Sequence, residues 1–419
     1  MVYNLIMKFK SRVLMIIILG AMLTLTLLGA LTLDKKESKV PEEVIENDSQ
    51  EENTVVPVTF KGQIEDEYGV AKEVMDVIVS YMDAYYTSIF TLEKRDMSDL
   101  FDNELMAAVS DKAVSLLIET RKDYDFDFTM KAAHYDLKVV AYEENGDEYR
   151  VDILEDDYMS FSFLPGIESK TYEVENYFRI KKSDGVYRIN DLEKVQGYYM
   201  TFYDNAESVE DTDEIYVYYR KQLKDMHAYN DEVLKVKAQK TPYTASKSFV
   251  KAYDRDKAVA YADTYYHERN KDWYNFTDEG GNCQNYASQC LLQGGIEMDF
   301  YGEEQWKCYI NDPDYDPYIN EDETPEGRTR SWVNVGYFYN YAKYNEGKGL
   351  VAEANANLYY AQPSDIIMVG NGGLAHTVIV SKVVDGHILV DSNSIDMKDY
   401  PIEAYTYTDI MLIKILGNN

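Results

Sequence analysis

The sequence predicts an α+β protein that has two folded domains behind an amino-terminal apolar segment. Three observations carry this prediction. The chain begins with an apolar run and an acidic stretch, continues with helix-like and then strand-like patterns, and ends with a glycine-bounded helix followed by more strands. With 419 residues, of which 45% are hydrophobic, the chain has enough apolar side chains for extensive hydrophobic cores.

The amino-terminal segment carries an export signal. Residues 13–33 form an almost unbroken apolar run that follows Lys8, Lys10 and Arg12, a charge pattern typical of insertion with the amino terminus inside. The run exceeds the roughly 7 to 15 residues of a signal-peptide core and approaches the roughly 20 that span a bilayer. We therefore expect a signal anchor or signal peptide at 1–33, and a protein that is membrane-anchored facing the extracellular side, or secreted.

The next part of the chain predicts a tether and an accessory domain. Residues 34–67 are rich in acidic, lysine and serine residues and poor in large apolar ones, which predicts a flexible acidic tether. Residues 68–240 show two helical patterns, then strand-like runs, then a long charged linking helix. This order indicates a small α+β domain and resembles the cystatin-like or nuclear-transport-factor-like folds, although no residue motif supports that analogy.

Charge and cysteine content exclude several classes of protein. The formal net charge of -33 would repel nucleic acid and anionic headgroups, so we expect no nucleic-acid partner and membrane contact only through the amino-terminal segment. Cys283, Cys290 and Cys308 are the only cysteines, which excludes a disulfide-framework domain. A bridge between Cys290 and Cys308 is left open.

The most informative stretch is a short predicted helix that starts near Cys283. Paired glycines precede and follow it, and Asn282 is the predicted N-cap. Apolar residues recur at helical spacing from Cys283 onward, which predicts one core-facing stripe. An isolated cysteine is more often a small buried hydrophobic residue. At a helix start, however, unpaired N–H groups and the helix dipole favour a thiolate, which indicates a nucleophile.

Three motifs in order resemble a known family. Residues 280–291 are similar to the nucleophile helix of the putative amidase domain family of secreted Gram-positive proteins, a branch of the papain-like cysteine peptidase and amidase superfamily. Residues 330–335 resemble its Ser-x-x-Trp segment, and residues 363–367 and 375–380 resemble its histidine-bearing strands. The resemblance implies a papain-like cysteine amidase domain at residues 241–419 that needs no cofactor.

The spacing of the last strands predicts the catalytic group. The dipeptide Asp385-Gly386 indicates a two-residue hairpin, whose register places Asn393 diagonally beside His376 on one face. We therefore predict that Cys283 attacks the carbonyl carbon, His376 transfers the proton, and Asn393 holds the imidazole tautomer. One β-bulge would shift the register by a residue and exchange the two faces.

Supporting residues are predicted around the nucleophile. The backbone N–H of Cys283 is one expected oxyanion donor, and Asn282 and Gln284 are candidate oxyanion or supporting residues. Both depart from the family pattern, which has Asp before the nucleophile and Thr after it. The acidic loop 312–323 imitates a calcium loop of the EF-hand type, but Pro317 occupies the position of its sharp turn, so we predict no metal site and leave calcium as the alternative.

The leading functional hypothesis is an exported cysteine amidase or peptidase that hydrolyses amide bonds in peptidoglycan, with a cell-wall peptide as substrate. The alternative is a catalytically weak or inactive cell-surface binding or structural module with the same fold, which the departures at Asn282 and Gln284 motivate. Acyl transfer would share the same intermediate and is not distinguished from hydrolysis by sequence. The oligomeric state is left open.

Overall fold

The structure is a computed structural model, and it describes residues 60–237, 242–301, 305–308 and 328–419. Its helices are α1 Lys72–Thr91, α2 Glu104–Lys122, α3 Gly197–Asn205, α4 Val209–Lys237, α5 Arg255–Tyr265, α6 Cys283–Gln293, α7 Arg330–Val333 and α8 Val335–Tyr344. Its strands are β1 Lys61–Glu65, β2 Met130–Asn145, β3 Glu148–Phe161, β4 Ser169–Ser183, β5 Val186–Lys194, β6 Lys251–Ala252, β7 Leu350–Ala356, β8 Ile366–Gly370, β9 His376–Val384, β10 His387–Ser392, β11 Asp396–Pro401 and β12 Asp409–Asn418.

Several sequence predictions fall outside these residues. The predicted membrane segment at 1–33, the domain boundary at 240/241 and the acidic loop 312–323 all lie outside the described part of the chain. Within the described ranges, no helix combines the length and the apolar character that crossing a membrane requires. The tether predicted at 34–67 is described only from residue 60 onward, and there Lys61–Glu65 forms a strand that pairs in parallel with β2. Part of the stretch predicted as a tether is therefore a strand of the sheet.

The mixed α+β class is confirmed, and the strands join in a single sheet. The order is β1-β2-β3-β4-β11-β10-β9-β8-β12-β6, with β5 beside β4 and β7 beside β12. Strands from the two predicted domains meet where β11 pairs with β4, in the register Asp396↔Tyr172 and Lys398↔Lys170. The sheet therefore runs without interruption across the predicted domain division.

Two of the predicted hairpins have the expected turn geometry. Val384 pairs directly with His387, and both Asp385 and Gly386 have positive φ, at 50° and 100°. The turn between β4 and β5 is built in the same way from another Asp-Gly pair. This backbone twist matches the twist of the flanking strands, and glycine adopts it without a steric penalty.

The central strands are buried on both faces, which explains why they read as continuous apolar runs. Ile367 and Val378 pack into a core that they share with the helices of the accessory region. Their neighbours Ile366, Met368 and Ile379 point to a second core on the opposite side, which contains helix α6. Alternate residues of each strand therefore hold the two halves of the molecule together.

Helix α6 is more deeply buried than its sequence pattern indicates. The pattern predicted a single core-facing stripe, but every residue from 283 to 291 is buried, including four polar ones. The polar side chains are accommodated because they form hydrogen bonds inside the core. Trp332 of the Ser-x-x-Trp segment donates from its indole N–H to Asn285 Oδ1 at 2.8 Å, and its carbonyl accepts from Ser288 at 2.8 Å.

Candidate active site

A tight turn brings the chain into helix α6. Gly281 has φ 110°, and a Cβ atom there would lie 3.3 Å from Ser394 Oγ, which favours glycine. The following N–H, that of Asn282, donates to the same Ser394 Oγ at 2.6 Å. Asn282 precedes the first helical residue as predicted, but its side chain does not cap the helix, because its Oδ1 accepts from the Phe276 N–H at 3.2 Å.

The side chains of Asn282 and Asn393 connect the start of the helix to the strands. Asn282 Nδ2 donates to Asn393 Oδ1 at 2.7 Å, and both residues are buried. Asn393 Nδ2 in turn donates to the carbonyls of Tyr265 and Tyr266, at 2.8 and 3.2 Å. The oxygen and the nitrogen of the Asn393 amide therefore both form hydrogen bonds with groups other than His376.

Gln284 connects helix α6 to strand β9. Its Oε1 accepts from the Thr377 hydroxyl at 2.8 Å, and its Nε2 donates to Ser288 Oγ at 3.2 Å. Gln284 is fully buried, so its amide positions the helix beside the strand that carries His376. Both polar atoms of the Gln284 amide are therefore engaged within the protein rather than facing a substrate.

Cys283 lies at the first turn of α6, with its thiol among backbone N–H groups. Burial raises the pKa of the thiol above its ordinary value of 9.0, and the N–H groups of Thr377, Gln284 and Cys283 itself act in the opposite direction without cancelling the rise. Desolvation therefore outweighs the helix start and favours the neutral thiol over the thiolate expected from sequence. The three cysteines are free, so the bridge left open between Cys290 and Cys308 is not formed.

His376, the first residue of β9, is held by a serine. Its Nε2 lies 2.8 Å from Ser392 Oγ, in a buried contact between neighbouring strands. Burial lowers the pKa of the imidazole to about 4, so the ring is neutral at physiological pH. In the tautomer whose Nε2 donates to Ser392, Nδ1 is the ring nitrogen that carries the free electron pair.

Asn393 was predicted from the pairing register of β9 with β10, and that register is wrong by one residue beyond the bulge. Pairing runs regularly from the hairpin turn to Leu389↔Lys382, but the next pair is Val390↔Val380, so Ser381 is an extra residue in β9. This bulge exchanges the faces of the residues that follow it. It places Ser392, rather than Asn393, diagonally beside His376.

Tyr407 completes the group of side chains around Cys283. Its ring centroid lies 6.4 Å from that of His376. Burial, and next the nearby Cys283, raise the pKa of Tyr407 to about 12. Neither Tyr407 nor Ser392 was singled out from sequence: nothing distinguishes Tyr407 among 40 tyrosines, and Ser392 follows only from the bulge.

The two predicted reacting groups are close but not hydrogen-bonded. The Thr377 N–H that faces the Cys283 sulfur belongs to the residue next to His376 in β9. Within the described ranges, however, no hydrogen bond joins the thiol to the imidazole. The same residues contain no group of three or more His, Cys, Asp or Glu side chains arranged to hold a metal ion.

This site lies within the part of the chain that matches a known family. Residues 252–416 match the model of a family described as putative amidase domain, and this span includes Cys283, Ser392 and His376. The resemblance to a putative amidase domain family is therefore confirmed for this region. The match covers less than half of the chain and indicates a hydrolase that acts on amide bonds.

Two individual proteins are similar to parts of the chain. The uncharacterized protein YhbB of Bacillus subtilis is 28% identical over 161 residues, which are 38% of this chain and 45% of that protein. The chain thus spans less than half the length of this relative. The solved structure titled putative scytalone dehydratase from Novosphingobium aromaticivorans aligns with 29% of this chain and 84% of its own, with 12% identity and a TM-score of 0.22.

Proposed function

We propose that the protein is a cysteine-dependent amidase in which Cys283 is the nucleophile and His376 the base. The observation that carries this proposal is the position of the Cys283 thiol, which lies at the first turn of α6 beside β9 and Tyr407. A buried thiol between a helix start and a histidine-bearing strand has both elements of nucleophilic catalysis within reach.

The protonation of the two groups indicates the order of events. Because the resting thiol and imidazole are both neutral, the proton passes from Cys283 to His376 Nδ1 as the sulfur attacks the carbonyl carbon. The imidazolium then returns the proton to the leaving amine, and water releases the acyl group from sulfur. Ser392 takes the positioning role that was predicted for Asn393, since it holds Nε2.

Backbone groups supply the stabilisation of the oxyanion in this proposal. The N–H groups of Cys283 and Gln284 both face the sulfur at the positive end of α6. A carbonyl oxygen bound next to that sulfur lies within reach of the same two donors. The side chains of Asn282 and Gln284 act behind them and hold the helix start in place.

The proposed substrate is an amide bond of a cell-wall peptide. Its support lies in sequence: the apolar run at 13–33 with its basic flank, which predicts export, and the motif resemblance to secreted amidases. We extend the proposal to a protein that is membrane-anchored on the extracellular side, or secreted. Acyl transfer proceeds through the same thioester and remains the alternative outcome of the same attack.

One observation favours the second candidate, a catalytically weak or inactive surface module. The Cys283 thiol is not hydrogen-bonded to His376, and burial moves the pKa of each group toward its neutral form. Both features make a poor resting nucleophile. This candidate predicts that the chain binds cell-wall peptides without releasing amines from them.

A single assay separates the two candidates. Purified protein is incubated with cell-wall peptides, and released amines are quantified for the parent and for Cys283→Ala, with Cys290→Ala as the matched control. The amidase proposal expects release by the parent and the control, and no release by Cys283→Ala. Equal release by all three proteins excludes Cys283 as the nucleophile, and no release by any of them favours the binding module.

A further inference from the structure

A cavity lies between the accessory region and the family-matched region. It has an internal volume of about 70 Å³ and is bordered by α1, α2, β3 and the segment that follows β11. Seven tyrosines line it, and among them are Tyr405 and Tyr407. Aromatic walls with a few polar groups are typical of sites for small molecules.

One buried cation faces this cavity with a nitrogen that lacks a hydrogen-bond partner. Arg121 of α2 is 4% exposed, and its Nη1 has no hydrogen-bond partner. The guanidinium lies over the rings of Phe128 and Phe161, at 5.2 and 5.8 Å from their centroids, and beside the Tyr400 hydroxyl. A guanidinium with an unpartnered N–H group is suited to binding a carboxylate.

One buried carboxylate faces the same cavity. Asp157 of β3 is 1% exposed, and its Oδ1 has no hydrogen-bond partner, whereas its Oδ2 accepts from Gln196 Nε2 at 3.4 Å. Burial raises the pKa of Asp157 to about 6, and the nearby Lys194 limits that rise. Its unpartnered Oδ1 is available to an ammonium group.

The two charges do not neutralise each other. Within the described part of the chain, Arg121 and Asp157 form no salt bridge, although both act on the hydroxyls of Tyr85 and Tyr400. Leaving opposite charges buried and unpaired in one cavity is costly. A molecule that carries a negative and a positive group would pair with both Arg121 and Asp157 and so remove the cost of burying each charge alone.

We propose that this cavity is a binding site for a small zwitterion, such as a free α-amino acid or a dipeptide. The carboxylate of the ligand pairs with Arg121 and its ammonium group pairs with Asp157, while the tyrosines surround the part between them. The site adjoins the candidate active site, because Tyr407 lies beside His376 and the Tyr405 hydroxyl faces Ser392. Binding itself does not require the proposed amidase activity.

Calorimetric titration of the full chain tests this proposal. The probes are L-alanine and L-alanyl-L-alanine, and the matched single-charge probes are propionate and ethylamine. We expect saturable binding of at least one zwitterion, and at least tenfold weaker binding of both single-charge probes. The dipeptide is titrated into Cys283→Ala, which retains the cavity and cannot cleave the probe.

Variants identify the two charged groups. Arg121→Gln and Asp157→Asn should each weaken zwitterion binding at least tenfold. Arg95→Gln should leave it unchanged, because Arg95 also has an unpartnered guanidinium nitrogen but does not line the cavity. Thermal melting verifies folding, and if Arg121→Gln fails to fold, Asp157→Asn decides alone.

Three results would overturn the proposal: no saturable zwitterion binding, equal binding of propionate or ethylamine, or unchanged binding by the folded variants. Because Cys283→Ala is expected to bind as the parent does, failure here is distinguishable from failure of the amidase proposal. An inactive protein that binds L-alanine through Arg121 and Asp157 would retain this inference.

Discussion

At the scale of single residues, the site depends on which side chain holds His376. The bulge at Ser381 places Ser392 against Nε2, whereas Asn393 supports Asn282 at the start of α6. The two adjacent residues therefore have different consequences when they are removed. Ser392 acts on the tautomer and orientation of the imidazole, and Asn393 acts on the position of helix α6.

Ser392→Ala should lower turnover more than about tenfold with little change in stability, because an orienting hydrogen bond matters mainly to the general base. It should also change the pH profile of kcat/KM. Ser381→Ala is the matched control, since its hydroxyl donates to Asp399 rather than to His376. Asn393→Ala should lower the melting temperature as well as turnover. Steady-state kinetics and thermal melts on the three variants would contradict this assignment if Ser392→Ala behaved like the control.

The pH dependence of activity reports on the buried imidazole. Because burial lowers the pKa of His376 to about 4, its base form persists well below pH 6.5, and we expect kcat/KM to fall only near pH 4. Folding stability should decline over the window from about 6.5 down to 4, since the unfolded chain takes up that proton first. Returning acid-treated samples to pH 7 separates reversible titration from unfolding. A fall of kcat/KM that begins at pH 6.5 or above would contradict the low pKa of His376.

At the scale of elements, one carboxylate joins three segments of the family-matched region. Asp365 is fully buried and lies before β8; its Oδ1 accepts from Arg255 Nη1 of α5 at 2.8 Å, and its Oδ2 accepts from Lys414 Nζ of β12 at 2.8 Å. The Ile415 N–H donates to Oδ1 as well, at 3.0 Å. This explains structurally why an Asp stands in the motif at 363–367.

Asp365→Asn should lower the free energy of unfolding by about 3 to 5 kcal/mol, because it leaves two cations without their buried partner. Urea unfolding measures the loss. Asp409→Asn is the control: the Asp409 carboxylate accepts from the backbone N–H groups of Gly372 and Gly373, so its replacement should cost much less. A similar loss of unfolding free energy in the two variants would contradict the role of Asp365 in joining the three segments.

At the scale of the whole molecule, the accessory and family-matched regions share a core and a sheet. The pairing of β4 with β11 joins the strands, and Val378 and Val380 of β9 contribute to the core that contains α1 and α2. The family-matched region alone would expose that face of its strands. A large exposed apolar face promotes association.

We therefore expect residues 242–419, expressed alone, to be insoluble or to self-associate, whereas residues 60–419 should be soluble and monodisperse. Size-exclusion chromatography with light scattering compares the two proteins at equal concentration. Replacing Val378 and Val380 by Thr in the shorter protein should increase its solubility, because it lowers the hydrophobicity of the exposed face. A stable monomer of the unmodified shorter protein would contradict the shared-core interpretation.

Local chemistry by itself determined several features of this protein. The Asp385-Gly386 turn, the start of α6 at Cys283 and the motifs that match an amidase family all depend on residues that are neighbours in sequence. A bulge at Ser381 and the choice of Ser392 over Asn393 were decided only by the tertiary structure, since strand register depends on how distant segments pack. The protonation of the site was decided there too, because burial by the surrounding chain outweighs the local effect of a helix start.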